Sequence, residues 1–217
     1  MTGIILYGIY GASGCGRGVA PLLEQELENQ NNAKVVFIDD NCAEAFVNDL
    51  PVWTYEKFVQ ADAGSKFATI AIADGGIRHA LAEKCVADSI GFHTIKASQH
   101  VTMKNVTVGP GGIFSPFTAL TSNITIGKHF HCNIGSYVEH DCRIGDFVTF
   151  APSVRCNGNI VIDDHAYIGS GAVLKQGTPG KPLHIGARAI VGMGAVVTKD
   201  VAAGTVVAGN PARPLIT

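Results

Sequence analysis

Charge is scarce in this chain. Only 16% of its 217 residues are Asp, Glu, Lys or Arg, and the formal net charge is -2. Without any Lys/Arg block, the footprint of a nucleic-acid binder or a polybasic membrane patch is missing, so an anionic partner must be held by local geometry. No stretch reaches about 18 uninterrupted apolar residues, and MTGIILYGIYG at the start lacks the basic segment of a secretory signal, so a cytoplasmic location is expected. Six cysteines, at 15, 42, 85, 132, 142 and 156, include no CxxC and no zinc spacing. Buried reduced thiols are expected, with no metal. The length allows one large domain or two small ones, with a real core in either case.

The first part alternates in type. An apolar run, Ile4 to Tyr10, meets a glycine turn; a helical stretch over 19–28 follows, then Val35-Val36-Phe37-Ile38 ending in Asp39-Asp40. That order is β-α-β. A further strand over 68–73 leads through Asp74-Gly75-Gly76 into a helix over 77–88 with Leu81 and Cys85 on one face. Residues 1–97 are therefore expected to form a small Rossmann-like α/β domain with a parallel sheet.

From about residue 100 helical periodicity vanishes and a period of six takes over. Starting at Val108, every sixth residue to Leu174 is apolar, twelve in succession. In a chain that is 47% apolar, such a run in a fixed frame arises by chance with probability on the order of 0.0001. A helix repeats every 3.6 residues and a half-buried strand every 2, so neither explains it. A solenoid does: three short strands complete a coil of about eighteen residues, and Val138 should stack on Leu120 and Cys156. The frame breaks at GTPGKP, 177–182, which adds five residues, and resumes at Ile185, Val191 and Val197. Such an insertion belongs to an external loop.

Two motifs carry chemistry. Gly11-Ala12-Ser13-Gly14-Cys15-Gly16 lies after a strand and before a helix, where glycines and the positive end of the helix suit a pyrophosphate. Asp39-Asp40 stands where a carboxylate accepts from ribose hydroxyls, and the shortness of the domain favours a nucleotide-sugar over a dinucleotide. The alternative is an ordinary tight turn. In Glu139-His140-Asp141 an imidazole sits between two carboxylates, which describes a general base with a choice of tuning partner. His140 lies two residues beyond a register position, near a coil corner, with Gly158 one coil later. His129 and His131 remain site neighbours; the other histidines read as surface residues.

With its repeat over roughly 101–206, the chain resembles the hexapeptide-repeat acyltransferases. The resemblance implies that 98–217 form a left-handed parallel β-helix; handedness comes from it alone, since parallel crossovers are ordinarily right-handed. More narrowly, IYGASG, FIDD, IAIADGGIR, NIGSYVEHDCRIGDF and VVAGNPARPL together resemble the UDP-N-acetylbacillosamine N-acetyltransferases of bacterial glycan pathways. That likeness implies that Ser13, Gly14 and Cys15, in the loop opened by Gly11, hold a UDP group with Asp39 and Asp40. Ala73 would close over it and Arg78 would neighbour its phosphate or base. His140 matches the family base, Asp141 the acidic residue beside it and Asn133 a polar residue near the sugar. Thr149, Gly158, Ser170 and Met193 fall where acetyl-CoA is lined. Two positions depart from the pattern: Cys15 replaces a histidine, and Asp141 the longer Glu, which leaves Glu139 as a second candidate to tune His140.

The expected reaction moves acetyl from acetyl-CoA to the 4-amino group of a UDP-linked 4-amino-4,6-dideoxy-N-acetylhexosamine, giving UDP-N,N'-diacetylbacillosamine. The resemblance also implies a homotrimer with acetyl-CoA between neighbours. Competing readings are an O-acetyltransferase acting on sialic acid or another sugar, and a non-catalytic nucleotide-sugar sensor or scaffold. A zinc enzyme on the same solenoid would need histidines on neighbouring coils, and HxxxxH spacing is lacking.

Overall fold

The structure is a computed structural model and describes residues 3–215. The chain divides after Ser98 into two compact units.

In the first unit β1 (Ile5–Tyr10) is central. It pairs in parallel with β2 (Ala33–Ile38) on one side and β5 (Ser65–Ile70) on the other. The sheet is completed by β3 (Phe46–Val47), β4 (Leu50–Trp53) and β6 (Gly91–Phe92), in the order β3-β4-β2-β1-β5-β6. A strand covered on both faces reads as a continuous apolar run, as β1 does. Gly8 at its middle leaves room for Ile38 and Phe58. α1 (Gly14–Leu27) begins directly at the glycine loop, five residues before the expected start, and buries Val19, Ala20, Leu23 and Leu27. α2 is short, Tyr55–Gln60. α3 (Gly75–Ala87) buries Arg78, Ala82 and Cys85, spaced i, i+4, i+7, while Leu81 is only half-buried. The face is thus turned by one residue from the expected one, because the arginine faces inward. The strand expected over 68–73 ends at Ile70, and 71–74 form the loop to α3.

The second unit is a left-handed parallel β-helix. Its first face stacks Ile113–Phe114, His131–Cys132, Thr149–Phe150, Tyr167–Ile168 and Ile190–Val191. The second stacks Ala119–Leu120, Tyr137–Val138, Arg155–Cys156, Val173–Leu174 and Val196–Val197. Ile124–Ile126, Arg143–Ile144, Ile160–Ile162 and Leu183–Ile185 belong to the third. Val138 does pair with Leu120 above and Cys156 below. From Phe114 to Leu174 every register residue is at most 2% exposed. Burying a side chain of this size contributes about 1.5–3 kcal/mol. A second inward position, four residues after the first, carries Phe130, Cys142, Val148, Val154, Ile160 and Ala166.

Three residues after an inward position the backbone turns a corner with positive φ. Asn105 (58°), Asn123 (55°) and Asp141 (58°) do so on successive coils of one corner, and His129, Phe147 and His165 on another. Asn, Asp and Gly adopt this conformation at least cost. Past residue 174 the extra residues leave the stack as a small exposed hairpin closed by Thr178 and Lys181, and Ile162 pairs with Ile185 across the gap.

Candidate active site

In the first unit, β1 leads through α1 to β2 on one side, and β5 through α3 to β6 on the other. Open parallel sheets hold ligands at such a reversal, outside the carboxyl ends of the strands. Here it is lined by the loops 11–13 and 71–74. Gly11 has φ +103°, a backbone conformation that L side chains rarely adopt. A side chain at Gly16 would collide with the Gly11 carbonyl oxygen.

The two helices that start here differ. Asp74 caps α3, its Oδ1 accepting from the Gly76 N–H at 2.8 Å and the Ile77 N–H at 2.9 Å. Ser13 stands at the N-cap of α1, yet its hydroxyl makes no cap hydrogen bond and the first turn, with Gly14 and Cys15, holds no acidic residue. The N–H groups opening α1 are therefore the ones that suit an incoming phosphate.

Asp39 ties the end of β2 to the glycine loop: its Oδ2 accepts from the Ala12 N–H and its Oδ1 from the Asn41 N–H, both at 3.0 Å. Asp40 Oδ1 accepts from the Tyr55 N–H at 2.8 Å, and its Oδ2 lies 4.0 Å from Lys84 Nζ. Both carboxylates thus already serve the protein, with lone pairs to spare. Ala73 is exposed on its loop. The expectation that Arg78 faces phosphate or base needs correcting. It is 0% exposed, and its Nη1 donates to the carbonyls of Ile72 at 2.7 Å and Ala73 at 3.1 Å, so it shapes the loop from behind. Burial pulls the guanidinium down to about 10, against Cys15 and Asp74, and it stays charged at neutral pH. Burial also pushes the Cys15 thiol up, which leaves a neutral side chain there.

In the second unit His140 follows the second face, at the corner before the third. Its Nδ1 lies 2.7 Å from Asp141 Oδ2, and Asp141 Oδ1 accepts from Asn123 Nδ2 at 3.1 Å. Asn123 in turn accepts from Asn105 Nδ2 at 3.3 Å. All three corner residues are left-handed, and this conformation turns the short Asp141 side chain back onto the ring before it. The carboxylate sits below its usual range, held there first by the His140 hydrogen bond and then by that of Asn123. With Nδ1–H given to Asp141, Nε2 is the atom left to accept a proton. The ring lies over Gly158, where a Cβ would come within 2.5 Å of Cε1 and 2.6 Å of Nε2. Glu139 is half-buried, and among the described residues its carboxylate makes no hydrogen bond to His140.

Asn123 went unseen in the sequence because it lies eighteen residues from Asp141, although a coil of eighteen predicts that contact by subtraction. Asn133 does not join His140 within one chain. It stands at the corner between the first and second faces, its side chain accepting from the Ile134 N–H. The whole second face, some 20 Å of extended chain, separates the two. Ser170 and Met193 share the Asn133 corner, where the Gly194 N–H donates to the Ser170 carbonyl; Met193 is 82% exposed. Thr149 is buried on the first face, and Gly158 alone of the expected acetyl-CoA residues lies at the His140 corner. His129 and His131 are buried, at 1% and 6% exposure, and His129 stacks on Phe147 at 5.0 Å. Among the cysteines, Cys85, Cys132, Cys142 and Cys156 are buried as expected, but Cys15 and Cys42 are only half-buried. No helix among the described residues is long and apolar enough to cross a membrane.

Comparison with known proteins adds three relatives and a domain family. Residues 8–85 match the family described as the PglD N-terminal domain. The chain is 48% identical over 212 residues to GDP-perosamine N-acetyltransferase of Escherichia coli O157:H7, covering 97% of this chain and 96% of that one. It is 52% identical to WeeI from Acinetobacter baumannii AYE, with a TM-score of 0.95 over 97% of this chain and 100% of the other. The acetyltransferase domain of PglB from Neisseria gonorrhoeae FA1090, solved with acetyl coenzyme A, is 27% identical with a TM-score of 0.86, over 97% and 98%.

Proposed function

The chain belongs to the hexapeptide-repeat acyltransferases, as an acetyl-CoA-dependent sugar N-acetyltransferase, and from that membership we propose that it acetylates the amine of a nucleotide-linked amino sugar with His140 as general base. The observation that carries the residue assignment is the 2.7 Å contact between His140 Nδ1 and Asp141 Oδ2, which leaves Nε2, over Gly158, to take a proton. The amine nitrogen attacks the thioester carbonyl carbon, and Nε2 takes the proton it sheds. Asp141 stabilises the imidazolium. The C–S bond breaks, the proton passes to the departing sulfur, and the acetamido sugar and CoA leave. A positioned amine and a thioester react without a covalent enzyme intermediate. Asp141, not Glu139, is the tuning carboxylate.

The glycine loop with Ser13 and Cys15, together with Asp39, Asp40 and Ala73, holds the nucleotide end on this reading, and Arg78 positions the loop. For the nucleotide's own base, the resemblance to the UDP-N-acetylbacillosamine N-acetyltransferases implies a UDP-linked 4-amino-4,6-dideoxy sugar. The relative with 48% identity acts on GDP-perosamine, which favours guanosine. Both belong in one assay. Purified protein is given acetyl-CoA and a panel of UDP- and GDP-linked amino sugars and free sialic acids while thiol release is followed. A nucleotide amino sugar should be turned over, and His140→Ala should lower turnover about 100-fold or more with nucleotide-sugar affinity retained. Turnover of free sialic acid alone, or full activity in His140→Ala, would sink the proposal.

The acting form on this reading is a homotrimer. Phe117, Ile134 and Met193, at 72%, 52% and 82% exposure, leave an apolar ridge along the Asn133 corner that a neighbouring copy would cover. A site containing both His140 and Asn133 needs two chains.

A further inference from the structure

The corner that carries His140 opens differently on the coil beneath it. Elsewhere along this edge a backbone rung starts the corner: the N–H groups of Thr121, Glu139 and Lys175 donate to the carbonyls of Val138 at 3.1 Å, Cys156 at 2.8 Å and Val197 at 2.8 Å. Asn157 occupies the same position on the intervening coil. There the Leu174 carbonyl accepts from the Asn157 side chain, Nδ2 at 2.7 Å, and no backbone rung to it is formed among the described residues. A primary amide both donates and accepts, so it can stand in for a peptide group. Its other end is also taken, since Tyr137, one coil above, donates its phenol to Asn157 Oδ1 at 3.0 Å. The side chain thus ties the coil of His140 to the coil two below.

The backbone of Asn157 is held as well. Its carbonyl accepts from the Cys142 thiol at 3.2 Å, and Cys142, at 3% exposure, lies inside the prism. A planar peptide fixed at its carbonyl fixes the Cα of the next residue, and that residue is Gly158. Gly158 is the floor under the catalytic ring: an added Cβ would meet His140 Cε1 at 2.5 Å, Nε2 at 2.6 Å and Nδ1 at 3.0 Å. One hydrogen bond, from Nδ1 to Asp141, leaves the ring able to tilt about it. The floor removes that freedom.

We propose that Tyr137 and Asn157 are positioning residues for the reaction: together they anchor the Asn157–Gly158 peptide and so hold His140 Nε2 where it takes the proton. This rests on the acetyl-transfer reading above. Among the described residues neither side chain is hydrogen-bonded to the ring, so each acts through the peptide.

In Asn157→Ala kcat should fall about five- to tenfold, and in Tyr137→Phe, which removes one bond and keeps the ring, about two- to threefold, with the KM of both substrates unchanged. In a His140→Ala background the same substitutions should be silent, because the ring they position is gone. A loss that repeats in full there, a rise in KM in place of the fall in kcat, or wild-type turnover in either variant would overturn the proposal. Should Asn157→Ala fail to fold, Tyr137→Phe carries the same test alone. If the wild type acetylates none of the acceptors, the acetyl-transfer reading fails by itself. The positioning of the ring is then decided by NMR of the histidine side chains, with the His140 signals assigned by their loss in His140→Ala. His140 signals displaced in the variants while the other histidines stay in place support it; signals that match the wild type, or that move together with the other histidines, refute it.

Discussion

An imidazole can pair with the carboxylate of the very next residue in few backbone geometries, and the left-handed corner at Asp141 is one of them. A Glu there would carry an extra methylene into a conformation that favours short polar side chains, which gives the shorter residue a physical reason. Asn123 completes the arrangement by holding the other carboxylate oxygen. Asn123→Gly keeps the corner and removes the donor, and should lower kcat about three- to tenfold. The depressed Asp141 carboxylate stays ionised as pH falls to below the ordinary range, and without Asn123 it is protonated sooner. A general base works only unprotonated, so the acid limb of kcat/KM belongs to the imidazole, and it should move to higher pH in Asn123→Asp, where a second carboxylate favours the imidazolium. A limb that stays in place would remove Asn123 from the site. The pairing of His140 with Asp141 could be read from the sequence because the charged run stands out in an apolar chain. Arg78 could not: nothing local says that a charge in mid-helix points inward, and its backbone carbonyl partners carry no residue signature.

At the scale of the element, the hexad was visible because each coil repeats one bit of information, apolar or not, at a fixed interval. The second inward position was less so, since it accepts anything from Ala166 to Phe130 and even Ser136, whose hydroxyl is bonded to the Ala151 carbonyl. The rungs also explain Gly158. Strands stack at about 4.8 Å, so a ring lying over the next coil leaves no space for a methyl group beneath it. Gly158→Ala should displace the His140 ring, cutting kcat at least about tenfold while the melting temperature moves little. Steady-state rates beside a thermal melt check this, and unaltered kcat would mean that the ring does not work from that position.

For the molecule as a whole, Asn133 and His140 stand only seven positions apart in the sequence, whereas a prism turns linear closeness into opposite ends of a face. If three chains close a ring, each site takes His140 from one and Asn133 from the next. Mixing His140→Ala with Asn133→Ala, each nearly inactive, and reassembling them should then restore about one quarter of wild-type activity, the fraction of boundaries that unite two intact halves. Recovery within sedimenting trimers supports the shared site; no recovery in mixed trimers contradicts it. The prism has a further consequence for how such a protein diversifies. Because Ile162 meets Ile185 as squarely as Ile144 meets Ile162, despite five added residues, chain length is free to vary at the corners and locked along the faces. Evolution can lengthen the corners while the stacked core keeps its count.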